Sequence, residues 1–196
     1  MFCCFNNKAK ITPEVFACWM RILSALPGSV LWLVESEPVA SDNLRREAAA
    51  RGVDPARLVF APRVPLERHL ARVRRADLFL DTMPYNGHAT TSDTLLAGVP
   101  GITVVGDTFA GRVSASLLRA AGLPELACES LDGYEALALR LAREPGMLHA
   151  LRERLSATRG SQPLFDTAGF ARNLEQAFAA MHARALAGEP PQALRI

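Results

Sequence analysis

A chain of 196 residues has room for one substantial domain and little for two. Its 49% hydrophobic and 21% charged residues are the balance of a globular protein. A formal net charge of +2 is too small to argue for nucleic acid or an anionic membrane surface as a partner.

No stretch approaches the ~18 uninterrupted apolar residues of a membrane span, and the amino terminus lacks the charged, apolar, small order of a signal peptide. Cys3, Cys4, Cys18 and Cys128 show no CxxC spacing and no histidines at zinc-finger distances, which predicts buried thiols in a reducing compartment and a cytoplasmic chain. Of the 22 basic residues other than histidine only Lys8 and Lys10 are lysines, two positions apart in one loop.

In chain order, "MFCCFNN" reads as a strand that begins at once, the texture of a piece from a longer protein. Thr12 then offers a helix N-cap with Pro13 behind it, and Phe16, Met20 and Leu23 mark the apolar face. The run 29–35 is a strand, 41–52 a helix with a hydroxyl or carboxylate cap and a glycine stop, "RLVFAP" a strand, 65–76 a helix and 77–82 a strand. A helix near 91–97, the strand "GITVV", a helix near 109–121, a short strand near 125–128 and a helix over 131–143 follow. Strands alternating with helices, and apolar at consecutive positions, predict a doubly wound α/β domain with a parallel Rossmann-like sheet covered on both faces.

The pattern then changes. Leu148, Leu151 and Leu155 mark one helix face, "SQPLFDT" interrupts, and Phe170, Leu174, Phe178 and Met181 mark a last helix. Both stripes are expected to be core or docking faces. The organisation expected is a Rossmann-like lobe over 1–160 and a C-terminal helix with a frayed tail over 161–196 packing on it.

Ligands of a doubly wound sheet sit outside the carboxyl ends of its strands. The segments that follow strands one, three and four carry Asn6, Asn7, Lys8 and Lys10; Val64, then His69 and Arg72 one helical turn on; and Asn86, Gly87, His88, Ala89, Thr90, Thr91 and Asp93. A helix starting near Thr90 or Thr91 would turn unpaired N–H groups and its positive dipole end toward that rim, a site for phosphate. Lys10 and His88 could join as donors, and Asp93 could accept from ribose hydroxyls. Each residue has a plainer role: Thr90 a cap worth ~1 kcal/mol, His88 a loop histidine, His69 and Arg72 parts of a solvated face. Their placement on one rim is what carries the argument.

GxGxxG after strand one, GxxxxGK[ST], GxSxG and HExxH are all missing, which sets aside nicotinamide and flavin sites, P-loop enzymes, hydrolase elbows and zincins. No Asp-x-Asp pair offers a divalent metal a diphosphate site. Metal-independent handling of a nucleotide diphosphate fits what remains.

"FNNKAKITPEVFACWMRILSALPGSVLWL", "ADLFLDTMPYNGHATTSDTLLAGVPGITVVGDTFAGRVSASLL" and "SQPLFDTAGFARNLEQAF" resemble the C-terminal catalytic lobe of the O-linked N-acetylglucosamine transferases, over roughly residues 1–185. The resemblance implies a GT-B fold of which this is the second lobe, UDP-N-acetylglucosamine as donor, and no metal or other cofactor. It implies a protein acceptor, with an N-terminal lobe and tetratricopeptide repeats on the parent chain. Residue by residue it implies that Asn7 lies near the diphosphate and Lys10 binds it. Val64 and His69 meet the uracil, and Arg72 is a further basic residue of that helix. His88 and Thr90 belong to a phosphate motif, and Asp93 holds the ribose. Lys10 and His88 are the expected catalytic residues. Ala89 replaces the first threonine of that motif and Leu66 a typical lysine, both departures that weaken contacts. A UDP-sugar enzyme with another sugar or acceptor, and a non-catalytic nucleotide-binding module, remain open.

Overall fold

The computed structural model describes every residue except Ser36, Arg159 and Ile196. Six strands, β1 (Phe2–Cys4), β2 (Leu31–Val34), β3 (Leu58–Ala61), β4 (Leu78–Leu80), β5 (Gly101–Val104) and β6 (Ala127–Cys128), form one parallel sheet in the order β3-β2-β1-β4-β5-β6. The helices are α1 (Pro13–Ala25), α2 (Pro38–Ala50), α3 (Leu66–Val73), α4 (Ala89–Leu96), α5 (Val113–Ala120), α6 (Leu131–Arg143), α7 (Pro145–Ala157) and α8 (Thr167–Leu186). Every residue of β1, β4 and β5 is buried, because helices cover both faces. The strand order reverses between β1 and β4, so the loops leaving their carboxyl ends part and open a crevice.

Local chemistry explains the framework. Thr12 Oγ1 accepts from Val15 N at 3.3 Å and Pro13 opens α1, which buries Phe16, Trp19, Met20, Ile22 and Leu23. Past its far end the Arg57 guanidinium donates to the carbonyls of Leu23 (2.7 Å), Leu26 (2.9 Å) and Ser29 (2.7 Å), tying the end of α1 to the turn that follows it. Trp19 Nε1 donates to Tyr134 Oη on α6 at 3.1 Å, and that hydroxyl donates to the Asp81 carbonyl at 3.0 Å. One side of the core is thereby tied to the residue that begins the β4 loop.

Several boundaries differ from expectation. Helix α2 starts at Pro38, not at 41; proline takes the first helical position, and Ser41 is buried, accepting from Lys8 Nζ at 2.8 Å instead of capping. Helix α3 stops at Val73, where Arg75 N and Ala76 N bond carbonyls three residues back at 3.0 and 2.9 Å and tighten the last turn. Residues 109–111 form a 3₁₀ turn capped by Thr108, which delays α5 to Val113. In α7, Leu151 and Leu155 are buried as expected. Helix α8 has no buried residue: Phe170, Leu174, Phe178 and Met181 are 41–65% exposed, so this stripe is not part of the lobe's core.

Candidate functional site

The site is built around a buried carboxylate. Asp81 ends the run of β4, and its Oδ1 accepts from Asn6 Nδ2 (2.9 Å), Thr82 N (2.8 Å) and Gly87 N (2.7 Å), while Oδ2 accepts from Thr103 Oγ1 (2.6 Å). Burial pushes its pKa up, and hydrogen bonds from Thr103, Ser114 and the Gly87 and Thr82 amides pull it back. Asn6 Nδ2 also donates to Thr82 Oγ1 at 2.8 Å, Thr82 Oγ1 to the Tyr85 carbonyl at 2.7 Å, and Asn86 Nδ2 to the Thr82 carbonyl at 2.9 Å. Gly87 is required by close approach: a Cβ there would lie 2.5 Å from Thr91 Oγ1 and 2.9 Å from Asn6 Oδ1. The loop from 82 to 88 is therefore fixed by side chains from β1, β5 and its own turn.

That loop delivers the start of α4. The helix begins at Ala89, with His88 in the N-cap position and no side-chain cap; the expected start near 91 with Thr90 or Thr91 capping is corrected. The hydroxyls are used elsewhere. Thr91 Oγ1 shares a hydrogen bond with Ser114 Oγ at 2.7 Å, Ser114 Oγ meets the Gly87 carbonyl at 2.7 Å, and Thr94 Oγ1 donates to the Thr90 carbonyl at 2.7 Å. Ala89 is exposed and Thr90 half-buried in the first turn, whose leading N–H groups have no intrahelical acceptor.

Lys10 lies in a 3₁₀ turn (Lys8–Lys10) just after β1, where Asn7 Oδ1 accepts from Ala9 N at 3.0 Å and Asn7 is itself exposed. Lys10 Nζ donates to the Asn86 carbonyl at 2.8 Å and stands 3.7 Å from the Tyr85 ring centroid. Burial lowers its pKa and the Asp81 charge opposes this. The His88 ring lies 5.2 Å from Tyr85 and 6.1 Å from Phe109, with Nε2 3.4 Å from the Ala110 carbonyl. Lys8 points elsewhere, to Ser41 and over the Phe60 ring.

A second group forms where α3 meets α4. The His69 ring stands edge-on to Phe5 at 5.0 Å, and Arg72 Nε donates to His69 Nδ1 at 3.1 Å. Arg72 cannot accept, so the imidazole is the neutral form with its proton on Nε2. Burial lowers the His69 pKa, Arg72 lowers it further, and Asp93 opposes them. Burial raises the Asp93 pKa, and His69 opposes this. Arg72 also lies over Phe5 at 4.9 Å and donates to the Pro62 carbonyl. Val64 is half-buried in the loop leading into α3. The structure thus sets Lys10 and His88 against one ring and pairs His69 with Arg72, with the charge of Asp93 acting on His69. Asp81, Tyr85, Phe109 and Ser114 were not singled out in the sequence; a carboxylate closing an apolar strand run was the available signal for Asp81.

A cavity of about 740 Å³ lies at the opposite, amino-terminal edge of β1 and β4, lined by Met1, Leu26, Arg74, Leu141, Leu148 and Arg152 among others. None of the candidate residues lines it. Among the described residues no three His, Cys, Asp or Glu side chains are grouped to hold a metal, and no helix is long and apolar enough to cross a membrane.

A 3-2-1-4-5-6 parallel sheet with an uncapped helix N-terminus and a lysine at its switch point defines a doubly wound α/β lobe with an anion-ready crevice. The chain belongs to glycosyl transferase family 41, whose model matches residues 1–174. It is 38% identical over 197 residues to the probable UDP-N-acetylglucosamine–peptide N-acetylglucosaminyltransferase SEC of Arabidopsis thaliana, covering 100% of this chain and 20% of that protein. The corresponding Caenorhabditis elegans enzyme is 35% identical, covering 97% of this chain and 16% of its own length. The chain therefore spans about a fifth or less of these relatives. A mutant of the Thermobaculum terrenum O-GlcNAc transferase superposes with a TM-score of 0.87 at 40% identity, over 92% of this chain and 35% of that one. Anabaena HepE in complex with UDP, at 10% identity and TM-score 0.64, covering 91% of this chain and 48% of its own, shares the fold. The architecture is that of a lobe of a GT-B glycosyltransferase.

Proposed function

We propose that this chain is the UDP-binding lobe of an inverting glycosyltransferase that moves N-acetylglucosamine from UDP-N-acetylglucosamine to serine or threonine of proteins. The observation that carries this reading is the uncapped start of α4 at the switch point, with Lys10 and His88 beside it. The peptide N-acetylglucosaminyltransferase activities for which the Arabidopsis and Caenorhabditis relatives are named support it.

In this reading the diphosphate meets the N–H groups at the start of α4, with Lys10 as a point charge and His88 as a further donor. The Ala89 departure removes one hydroxyl, yet its position in the first helical turn keeps a backbone N–H for the anion. Neutral His69, backed by Arg72 and Phe5, presents a flat ring and an Nε2–H to the base, flanked by the Val64 backbone. Asp93 on α4, whose charge acts on His69 of α3, accepts from the ribose. Leu66 is 59% exposed and adds no charge there. Asn7 lies at the outer lip near the diphosphate.

The acceptor oxygen forms a bond to the anomeric carbon as the bond to the UDP oxygen breaks, and the electron pair leaves with UDP. Lys10 and the α4 terminus stabilise that growing charge, so their effect is greater on the transition state than on bound donor. The acceptor's proton goes to a group on the remainder of the parent enzyme. A second catalytic lobe, tetratricopeptide repeats, absence of a metal and a cytoplasmic location complete the reading. The family resemblance supports these, as do the four free thiols for the reducing compartment.

The test is transfer by the full-length parent enzyme to a serine- and threonine-containing protein. UDP-N-acetylglucosamine is expected to support transfer and Lys10→Ala to lower kcat by ~100-fold. Preference for UDP-glucose would replace the sugar, and UDP binding without transfer to any acceptor would support a non-catalytic module.

A further inference from the structure

Tyr85 has no role in the scheme above, yet its ring touches both basic side chains placed at the diphosphate. Lys10 Nζ stands 3.7 Å from the ring centroid, and the His88 ring lies 5.2 Å away. Tyr85 is 46% exposed, but the backbone that carries its ring is fixed. Thr82 Oγ1 donates to the Tyr85 carbonyl at 2.7 Å, and Asn86 N, the next amide, donates to the Ala110 carbonyl at 3.0 Å.

A lysine side chain has four rotatable methylene bonds and loses rotamer freedom when its ammonium is localised on a ligand. Here that freedom is already limited. The Asn86 carbonyl takes one ammonium hydrogen at 2.8 Å, two residues before the α4 N-cap, and the negative face of Tyr85 closes one side. The carbonyl fixes one direction only; the ring keeps the ammonium from swinging out toward water. The same ring also meets His88, at 5.2 Å between centroids.

We propose that Tyr85 is a positioning residue: with the Asn86 carbonyl, its ring holds the Lys10 ammonium where the donor's diphosphate arrives. The inference rests on the nucleotide reading of the rim. It needs the ring face and not the hydroxyl.

The experiment uses UDP titrations and lysine-selective NMR on this 196-residue chain unsubstituted and as Tyr85→Leu, Tyr85→Phe, Lys10→Met and the double variant Tyr85→Leu/Lys10→Met. Tyr85→Leu is expected to weaken UDP binding about 3- to 10-fold, the size of one partly exposed cation–π contact. Tyr85→Phe restores it, and Tyr85→Leu has no further effect once Lys10 is Met. With only two lysines in the chain, ¹³C-lysine labelling gives resolvable signals without any ligand. The Lys10 methylene next to the ammonium is expected upfield of its own position in Tyr85→Leu, from the ring current of Tyr85, while Lys8, which lies over Phe60, keeps the same position in both. An equal loss, or none, from Tyr85→Leu in both lysine backgrounds overturns the inference, as does an unshifted Lys10 signal in the unsubstituted chain. Failure of the folded, unsubstituted chain to bind UDP overturns the nucleotide reading itself, a result distinct from either.

Discussion

Removing the Asp81 carboxylate is the most informative perturbation of the scaffold beneath the site. Asp81→Ala leaves the Thr82 and Gly87 amides, one bond of Asn6 Nδ2 and the Thr103 hydroxyl without their acceptor. A stranded buried donor costs ~1–3 kcal/mol. Asn6 keeps Thr82 Oγ1 and the Thr103 hydroxyl can turn, so the two backbone amides dominate. Relief of the buried charge offsets part, leaving a net loss of ~3–5 kcal/mol. Asp81→Asn keeps an oxygen for the three donors at Oδ1 and turns its NH₂ toward Thr103, which can accept, for a loss of ~1–2 kcal/mol. Burial raises the folded pKa above the unfolded one, so between those values the native state holds the extra proton. The Asp81 contribution therefore falls as pH rises through the folded pKa, and Asp81→Asn removes that component. Urea unfolding followed by far-UV circular dichroism, at several pH values, measures all of this. An alanine variant no less stable than the asparagine variant would refute the reasoning.

Further outcomes follow from the same geometry. Gly87→Ala pushes a methyl into Thr91 Oγ1 and Asn6 Oδ1, and thermal unfolding should show a loss of ~1–3 kcal/mol. Burial and Arg72 hold the folded His69 pKa below the ordinary 6.5, so the unfolded chain takes the proton first as pH falls. Its contribution is complete above about pH 6.5 and declines as pH drops through the folded value; His69→Asn should remove this part of the slope in denaturation at pH 7.5 and 5.5. Cys3 and Cys18 are pushed up to about 12 by burial, and Cys4 and Cys128 are also raised, so a thiol reagent at pH 7.5 should leave the native chain largely unmodified. The same reagent in urea should count four thiols.

The parallel sheet was legible because each strand is an unbroken apolar run and each helix an amphipathic one. Thr12 with Pro13 marked α1, and the helix expected over 131–143 is found as α6, with Ser130 as the cap that the sequence reading did not name. Boundaries failed where two signals competed, as at α2, where Pro38 opens the helix while Ser41 bonds Lys8. At α4 the threonines looked like caps, but Thr91 is drawn inward by Ser114, a partner 23 residues on. Loop positions after the strands placed Lys10, His69, Arg72, His88 and Asp93 on a common rim. Their division into two groups, and the roles of Asp81 and Tyr85 in holding them, depend on contacts such as Asn6 with Asp81 or Lys10 with Asn86, 75 and 76 residues apart. No local pattern encodes those. The α8 stripe was legible as apolar and silent about what it faces, since helical period alone does not name a neighbour.

The central claim is that the crevice beside α4 binds the diphosphate of a uridine nucleotide through Lys10. Calorimetric titration of the chain with UDP, with ADP as control, on the parent and on Lys10→Ala tests it directly. The account predicts preferential binding of UDP, weakened ~10-fold or more in the variant by loss of a charge-assisted contact. Equal affinity for UDP in both chains, or no binding by a folded parent, would contradict it.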